Sequence, residues 1–283
     1  MSGAAPTPIR DILVHLDATA PSRARLDYAA SLAARHGARL TGLMVQEIAL
    51  PPIATPDGGG AALIPLLEAM RRDAAAEVAA LRPVFEATLR RAGIEGEWHA
   101  PEGFAADQVA YRGRHTDLVV LGQDQPEGAT PTAAVVIETA LFGAGRPVLL
   151  VPHTGTFAVP SRHALIGWKA GREAARAVHD ALPLLAAIGR ATVLAADARA
   201  SDEETPGQAI AVHLARHGIR VETEATASGD VDAGALLLNR AAELSADLLV
   251  IGGYGHSRLR EWVLGGVTRT ILREMTLPVL MSH

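Results

Sequence analysis

Short continuous apolar runs alternate along this chain with longer stretches in which apolar positions recur three and four residues apart. The runs include Asp11-Ile-Leu-Val-His-Leu-Asp17, Asp117-Leu-Val-Val-Leu-Gly122, Arg146-Pro-Val-Leu-Leu-Val151, His163-Ala-Leu-Ile-Gly-Trp-Lys169, Asp247-Leu-Leu-Val-Ile-Gly252 and Leu277-Pro-Val-Leu-Met-Ser282. Strands that are apolar on both faces, each followed by an amphipathic helix, form a parallel sheet covered on both sides. In the second half of the chain the pattern predicts strands near 163–168, 191–196, 219–225, 247–252 and 277–282. Helices are predicted between them near 172–188, 205–217, 231–245 and 265–275. Gly37 and Gly189 follow the helical segments 21–36 and 173–188 and read as left-handed helix stops.

The pattern repeats. A shift of 152 carries the first strand, its helix and Gly37 onto 163–169, 173–188 and Gly189. Further along the shift falls to 130 for Asp117–Gly122 onto Asp247–Gly252, so the first copy is longer in its middle by about 22 residues. Much of that excess is expected in the Pro/Gly stretch 50–61 and the helical stretch after it. Pro152 to Pro160 reads as a linker, giving two doubly wound α/β domains, 1–153 and 160–283.

Composition narrows the functions. The chain has 283 residues, 49% hydrophobic and 20% charged, with 4% aromatics, so its interior is built from Ala, Leu and Val. A net charge of −5 argues against a nucleic-acid footprint. Cysteine is absent, which excludes thiol catalysis, disulfides and Cys-ligated zinc. There is neither a leader-like N-terminus nor a long apolar run, so a soluble cytoplasmic protein without membrane association is the expectation.

The most informative segment is Gly252-Gly253-Tyr-Gly255, followed after nine intervening residues by Gly265-Gly266-Val267-Thr268. A strand enters a glycine-rich loop and a helix opens at the second glycine pair. Glycines let backbone N–H groups approach a ligand, and a helix start adds unpaired donors and the positive end of its dipole. Such a place suits phosphate. The N–H groups of Gly255, His256, Gly266 and Val267 would hold it, Thr268 would add a hydroxyl, and Arg258 and Arg260 would add charge. The competing reading is that the glycines only shape a tight turn.

With those residues in view, the chain resembles a tandem universal stress protein, two flavodoxin-like (HUP-type) domains related by a pseudo-twofold. The family's ATP-binding pattern is Gly, two residues, Gly, nine residues, Gly, then Ser or Thr. Gly252, Gly255 and Gly265 keep that spacing, whereas Gly266 stands where the hydroxyl residue belongs. The resemblance implies ATP or a related adenine nucleotide, with or without magnesium, and a stress-response regulatory role. It also implies an adenosine-binding aspartate at the end of the first strand. Asp17 occupies that place in the first copy and Lys169, the only lysine, in the second. Lys169 would meet a phosphate or pair with a carboxylate such as Glu173. In the first copy Gly122 is followed by Gln-Asp-Gln-Pro-Glu-Gly-Ala-Thr-Pro, which removes N–H donors and adds acids, so no phosphate site is expected there. The family's terminal strands pair domains, so Pro147–Val151 and Pro278–Ser282 would join the copies as an internal pseudo-dimer, and a homodimer is compatible with this; protein partners are not readable.

Other chemistry finds little support. The lone lysine lies in Trp168-Lys169-Ala170, which is no Walker A motif. His213 and His217 are four apart but lack the accompanying Glu of a metalloprotease helix and read as a solvated pair. Trp168 and Trp262 flank the glycine segment as base-stacking or packing residues. No residue looks like a tuned general base, so an enzyme is not expected beyond slow ATP hydrolysis. The alternatives are a nucleotide-binding regulator and an interaction module whose site has decayed.

Overall fold

The computed structural model of the chain describes residues 8–48, 60–123, 132–196, 206–226, 232–253 and 266–283. The first half runs β1 (Asp11–His15), α1 (Pro21–His36), β2 (Arg39–Leu43), α2 (Gly60–Ala92), β3 (Gly96–His99), α3 (Ala105–Gly113), β4 (Leu118–Gly122), α4 (Thr132–Gly143) and β5 (Val148–Val151). The second runs β6 (Ala164–Trp168), α5 (Arg172–Ile188), β7 (Arg190–Ala196), α6 (Gln208–Arg216), β8 (Arg220–Thr226), α7 (Ala233–Glu243), β9 (Leu248–Gly252), α8 (Gly266–Glu274) and β10 (Val279–Ser282). The strands and helices expected in the second half are all present, with ends moved by up to three residues. Helices α1 and α5 stop at Gly37 (φ 63°) and Gly189 (φ 76°), left-handed positions where a Cβ would be strained.

All ten strands form one sheet in the order β3-β2-β1-β4-β5-β10-β9-β6-β7-β8. Within each half the strands are parallel and read 3-2-1-4-5, a doubly wound order that reverses beside the first strand. The halves meet at β5 and β10, which pair antiparallel with Leu149 opposite Leu280. Alternate residues of each strand point to opposite faces, so Ile12 and Val14 join one core while Leu13 joins the other. One core holds residues of α1, α2, α5 and α6, including Leu26, Phe85, Leu185 and Leu214. The other holds residues of α3, α4, α7 and α8, including Val109, Ile137, Leu237 and Ile271. Both cores run through both halves.

A shared aspartate has a structural explanation. The Asp117 carboxylate accepts the N–H groups of Arg10 and Asp11 (2.7 and 3.1 Å). Its repeat counterpart Asp247 accepts those of Ser161, Arg162 and His163 (2.9–3.1 Å). Each tethers the start of its half's first strand beside the fourth, which sets the register at the strand ends opposite. The extra length of the first half is also located: α2 has 33 residues and its counterpart α6 has nine. No helix among the described residues is long and apolar enough to cross a membrane.

Candidate functional site

In an open parallel sheet, ligands settle beyond the carboxyl ends of the strands where the strand order reverses. Each half has one such place: β1 beside β4, and β6 beside β9. In the second half the last β6–β9 pair is Gly167 opposite Ile251. Two residues beyond that pair the sequence has Lys169 after one strand and Gly253 after the other. Helix α8 starts at Gly266, leaving its first-turn N–H groups without intrahelical partners.

The glycines turn out to have different duties. A Cβ on Gly252 would lie 2.6 Å from the backbone of both Glu173 and Ala174, so this glycine lets the first turn of α5 pack against the strand end. The Gly253 amide donates to the Ser282 carbonyl (2.8 Å), and its carbonyl lies 3.2 Å from Nδ1 of His283. Its backbone is thus committed to the end of β10. Gly266 and Val267 are exposed, while Thr268 is 4% exposed and turned inward, away from the role of a readily offered hydroxyl donor. Asp232 caps α7 through Oδ2, which accepts the N–H groups of Gly234 and Ala235 (3.0 and 3.2 Å). Its Oδ1 lies 3.9 Å from where a Gly266 Cβ would be, so α8 begins beside a carboxylate. Glu173 is ion-paired with Arg172 at 2.6 Å. Trp168 packs against the core instead of standing clear of it. His213 and His217 stack edge-on at 4.8 Å. Gly255, His256, Arg258 and Gly265 lie outside the described residues, as do Arg260 and Trp262.

The first half carries a feature that sequence reasoning missed. A cavity of about 340 Å³ opens at the ends of β1, β2 and β4, bounded by His15 to Thr19, Met44 to Glu47, Gln123 and the helices α2 and α4. Inside it Arg25 donates to Asp17 at 2.6 Å and to Ser22 at 3.3 Å. Burial alone would raise the Asp17 carboxyl; the Arg25 charge and the bonds from Thr19 and Arg25 outweigh it and hold Asp17 below the usual carboxylate range. Burial and then the Arg25 charge push His15 down to about 4, against the pull of Asp17, so its ring is neutral at pH 7. The Arg25 guanidinium occupies the space that a Cβ on Gly122 would need. One signal for Arg25 was in the sequence: it stands among Leu26, Tyr28 and Ala29 on the buried side of α1, where an arginine needs a partner. Position 177, its repeat equivalent, is alanine.

Gln123 ties this cavity to the other half. It is 4% exposed, and its side-chain amide donates to the Arg273 carbonyl in α8 (3.0 Å). Its side-chain oxygen accepts the His153 N–H (3.1 Å).

Residues 161–283 match the Universal stress protein family. No curated protein matches the chain. Among solved structures, a universal stress protein from Archaeoglobus fulgidus DSM 4304 superposes with a TM-score of 0.75 at 15% identity, covering 96% of this chain and 95% of that one. A protein of unknown function from Pseudomonas aeruginosa PAO1 superposes with a TM-score of 0.59 at 16% identity, covering 97% and 92%. At these identities the likeness establishes the fold alone, a flavodoxin-like α/β architecture along the chain. Residues 161–283 are thus similar to universal stress protein domains, on a fold shared with these structures along the whole chain.

Proposed function

We propose that the protein is a regulatory, non-catalytic nucleotide-binding protein of two domains, 1–153 and 160–283, acting in the cytoplasm in a stress response. The C-terminal domain takes the phosphates of ATP, ADP or AMP beyond the ends of β6 and β9. The observation that supports this reading is the β6–β9 switch point, beyond whose last pair the chain carries Lys169 and, in the same half, the surviving glycine spacing. A cation and the exposed first turn of a helix suit an anion. Calorimetric titration with the three nucleotides, with and without magnesium, tests it. Binding that rises with phosphate number and weakens at least about tenfold in Lys169→Glu is the expected result, since a charge reversal near a phosphate is worth more than about 1.4 kcal/mol. Silence at millimolar nucleotide defeats the proposal.

A second reading has its own support: an interaction module that binds no nucleotide. The Asp232 carboxylate beside Gly266, the committed amide of Gly253 and the packing duty of Gly252 all favour it. Phosphate release above background that depends on Lys169 would instead point to slow ATP hydrolysis.

A further inference from the structure

The likeness between the halves breaks at one position that bears on α8. Gln123 directly follows β4, and the residue in the same place after β9 is Gly253. Gln123 is buried and lines the cavity of the first half, yet its side-chain amide crosses the seam and donates to the Arg273 carbonyl in the last turn of α8 (3.0 Å). Carbonyls of a last turn have no partners within their own helix, so this bond is a C-terminal cap supplied by the other half. The amide is fixed from behind as well. Its oxygen accepts the His153 N–H (3.1 Å), and the Gln123 backbone N–H donates to the Val151 carbonyl (2.9 Å). A backbone N–H on one side and a carbonyl on the other leave only this orientation of the side chain. Gly253 has no side chain with which to cap α4. There the Gly143 carbonyl accepts Arg114 of its own half instead (3.1 Å).

Helix α8 has nine residues. A helix this short is marginal alone, so its placement depends on what holds it. Helix α7 holds its first half: a Cβ on Gly234 would come within 2.9 Å of the Val267 carbonyl and of the Thr270 side chain. Gln123 holds the last turn. We propose that Gln123 is a positioning residue for the anion site of the second half, fixing α8 from its C-terminal end so that the first-turn N–H groups are held in place for phosphate. This rests on the nucleotide reading of that site. A donor at the C-terminal end and an anion at the N-terminal end both complement the dipole of the same helix, so the two favour the same state of α8.

Gln123→Met keeps the volume and removes both the donor and the acceptor. In the ligand-free full chain, native-state hydrogen exchange of the α8 amides of residues 270–273 should speed up about fivefold or more, while α1 and α7 keep the parent's rates. The same variant should bind ATP about fivefold or more weakly in calorimetry. Phe85→Leu, a packing loss in the core under α2, separates positioning from general loss of stability. It should lower the thermal midpoint but change neither α8 exchange nor ATP affinity. Unchanged α8 exchange in Gln123→Met, equal ATP affinity in parent and variant, or the same α8 acceleration in Phe85→Leu would each overturn the positioning role. A parent that binds no nucleotide defeats the function proposed above, and α8 exchange then decides the role of Gln123 by itself.

Discussion

At the scale of single residues, the two halves place opposite charges at the same topological position. Asp17 follows the first strand of one half and is neutralised by Arg25; Lys169 follows the first strand of the other, where no arginine occupies the equivalent helix position. His15 reports on this environment. Its folded pKa of about 4 lies below the unfolded value near 6.5. The unfolded chain therefore binds the proton first, and His15's contribution to stability is complete above about pH 6.5 and lost as pH falls through about 4. Between pH 7.5 and 4.5, urea unfolding of the parent should lose on the order of 2 kcal/mol more than His15→Asn. Parallel stability curves for the two would show that the imidazole is not shielded. Gly252 makes a different point at this scale. A glycine in a nucleotide-binding spacing is also required where two backbones approach closely, and spacing alone does not separate the two causes.

At the scale of elements, the start of α8 is governed by its neighbour α7. Asp232 caps α7 and sets a negative charge near Gly266. Two substitutions separate these effects. Asp232→Ala should cost about 1 kcal/mol through loss of the cap, whereas Asp232→Asn keeps an efficient cap and should stay within a few tenths of a kcal/mol. Both remove the charge, so both should raise nucleotide affinity several-fold if phosphate sits at the α8 N-terminus. Unchanged affinity in the Asn variant would move the anion away from α8. Helix α2 is the element that distinguishes the halves: it is much longer than α6, and its residues Ala74 and Glu77 line the first cavity.

At the scale of the whole molecule, the seam between β5 and β10 makes one sheet of two repeats. Leu280 is fully buried there opposite Leu149, and both cores continue across the seam. Gln123 adds a polar link to α8 with its buried hydrogen bonds paired, an arrangement costly to break. Leu280→Ala should cost about 3 kcal/mol through the cavity it leaves. The loss should appear in both halves together. Denaturation followed by Trp98 in one half and Trp168 in the other, with the remaining tryptophans replaced by Phe, should give coincident transitions. Two separated transitions would mean that the seam does not couple the repeats.

The chain alone was enough to establish the alternation of strands and helices, the repeat, the helix stops at Gly37 and Gly189 and the site of the extra residues. These follow from local periodicity and from the backbone demands of glycine, both of which act over a few neighbouring positions. The repeat also pointed to the strand ends where a ligand belongs, because the doubly wound topology fixes that place once the strands are known. Only the folded molecule decided the rest. Gln123 meets Arg273 across 150 residues, Gly252 meets the backbone of Glu173, and Asp232 stands beside Gly266, none of which any local pattern encodes. The cavity of the first half belongs to the same class. Its charge balance is a sum over β1, β2, α1 and α2, elements remote in sequence that become one electrostatic environment only when the sheet brings their ends together.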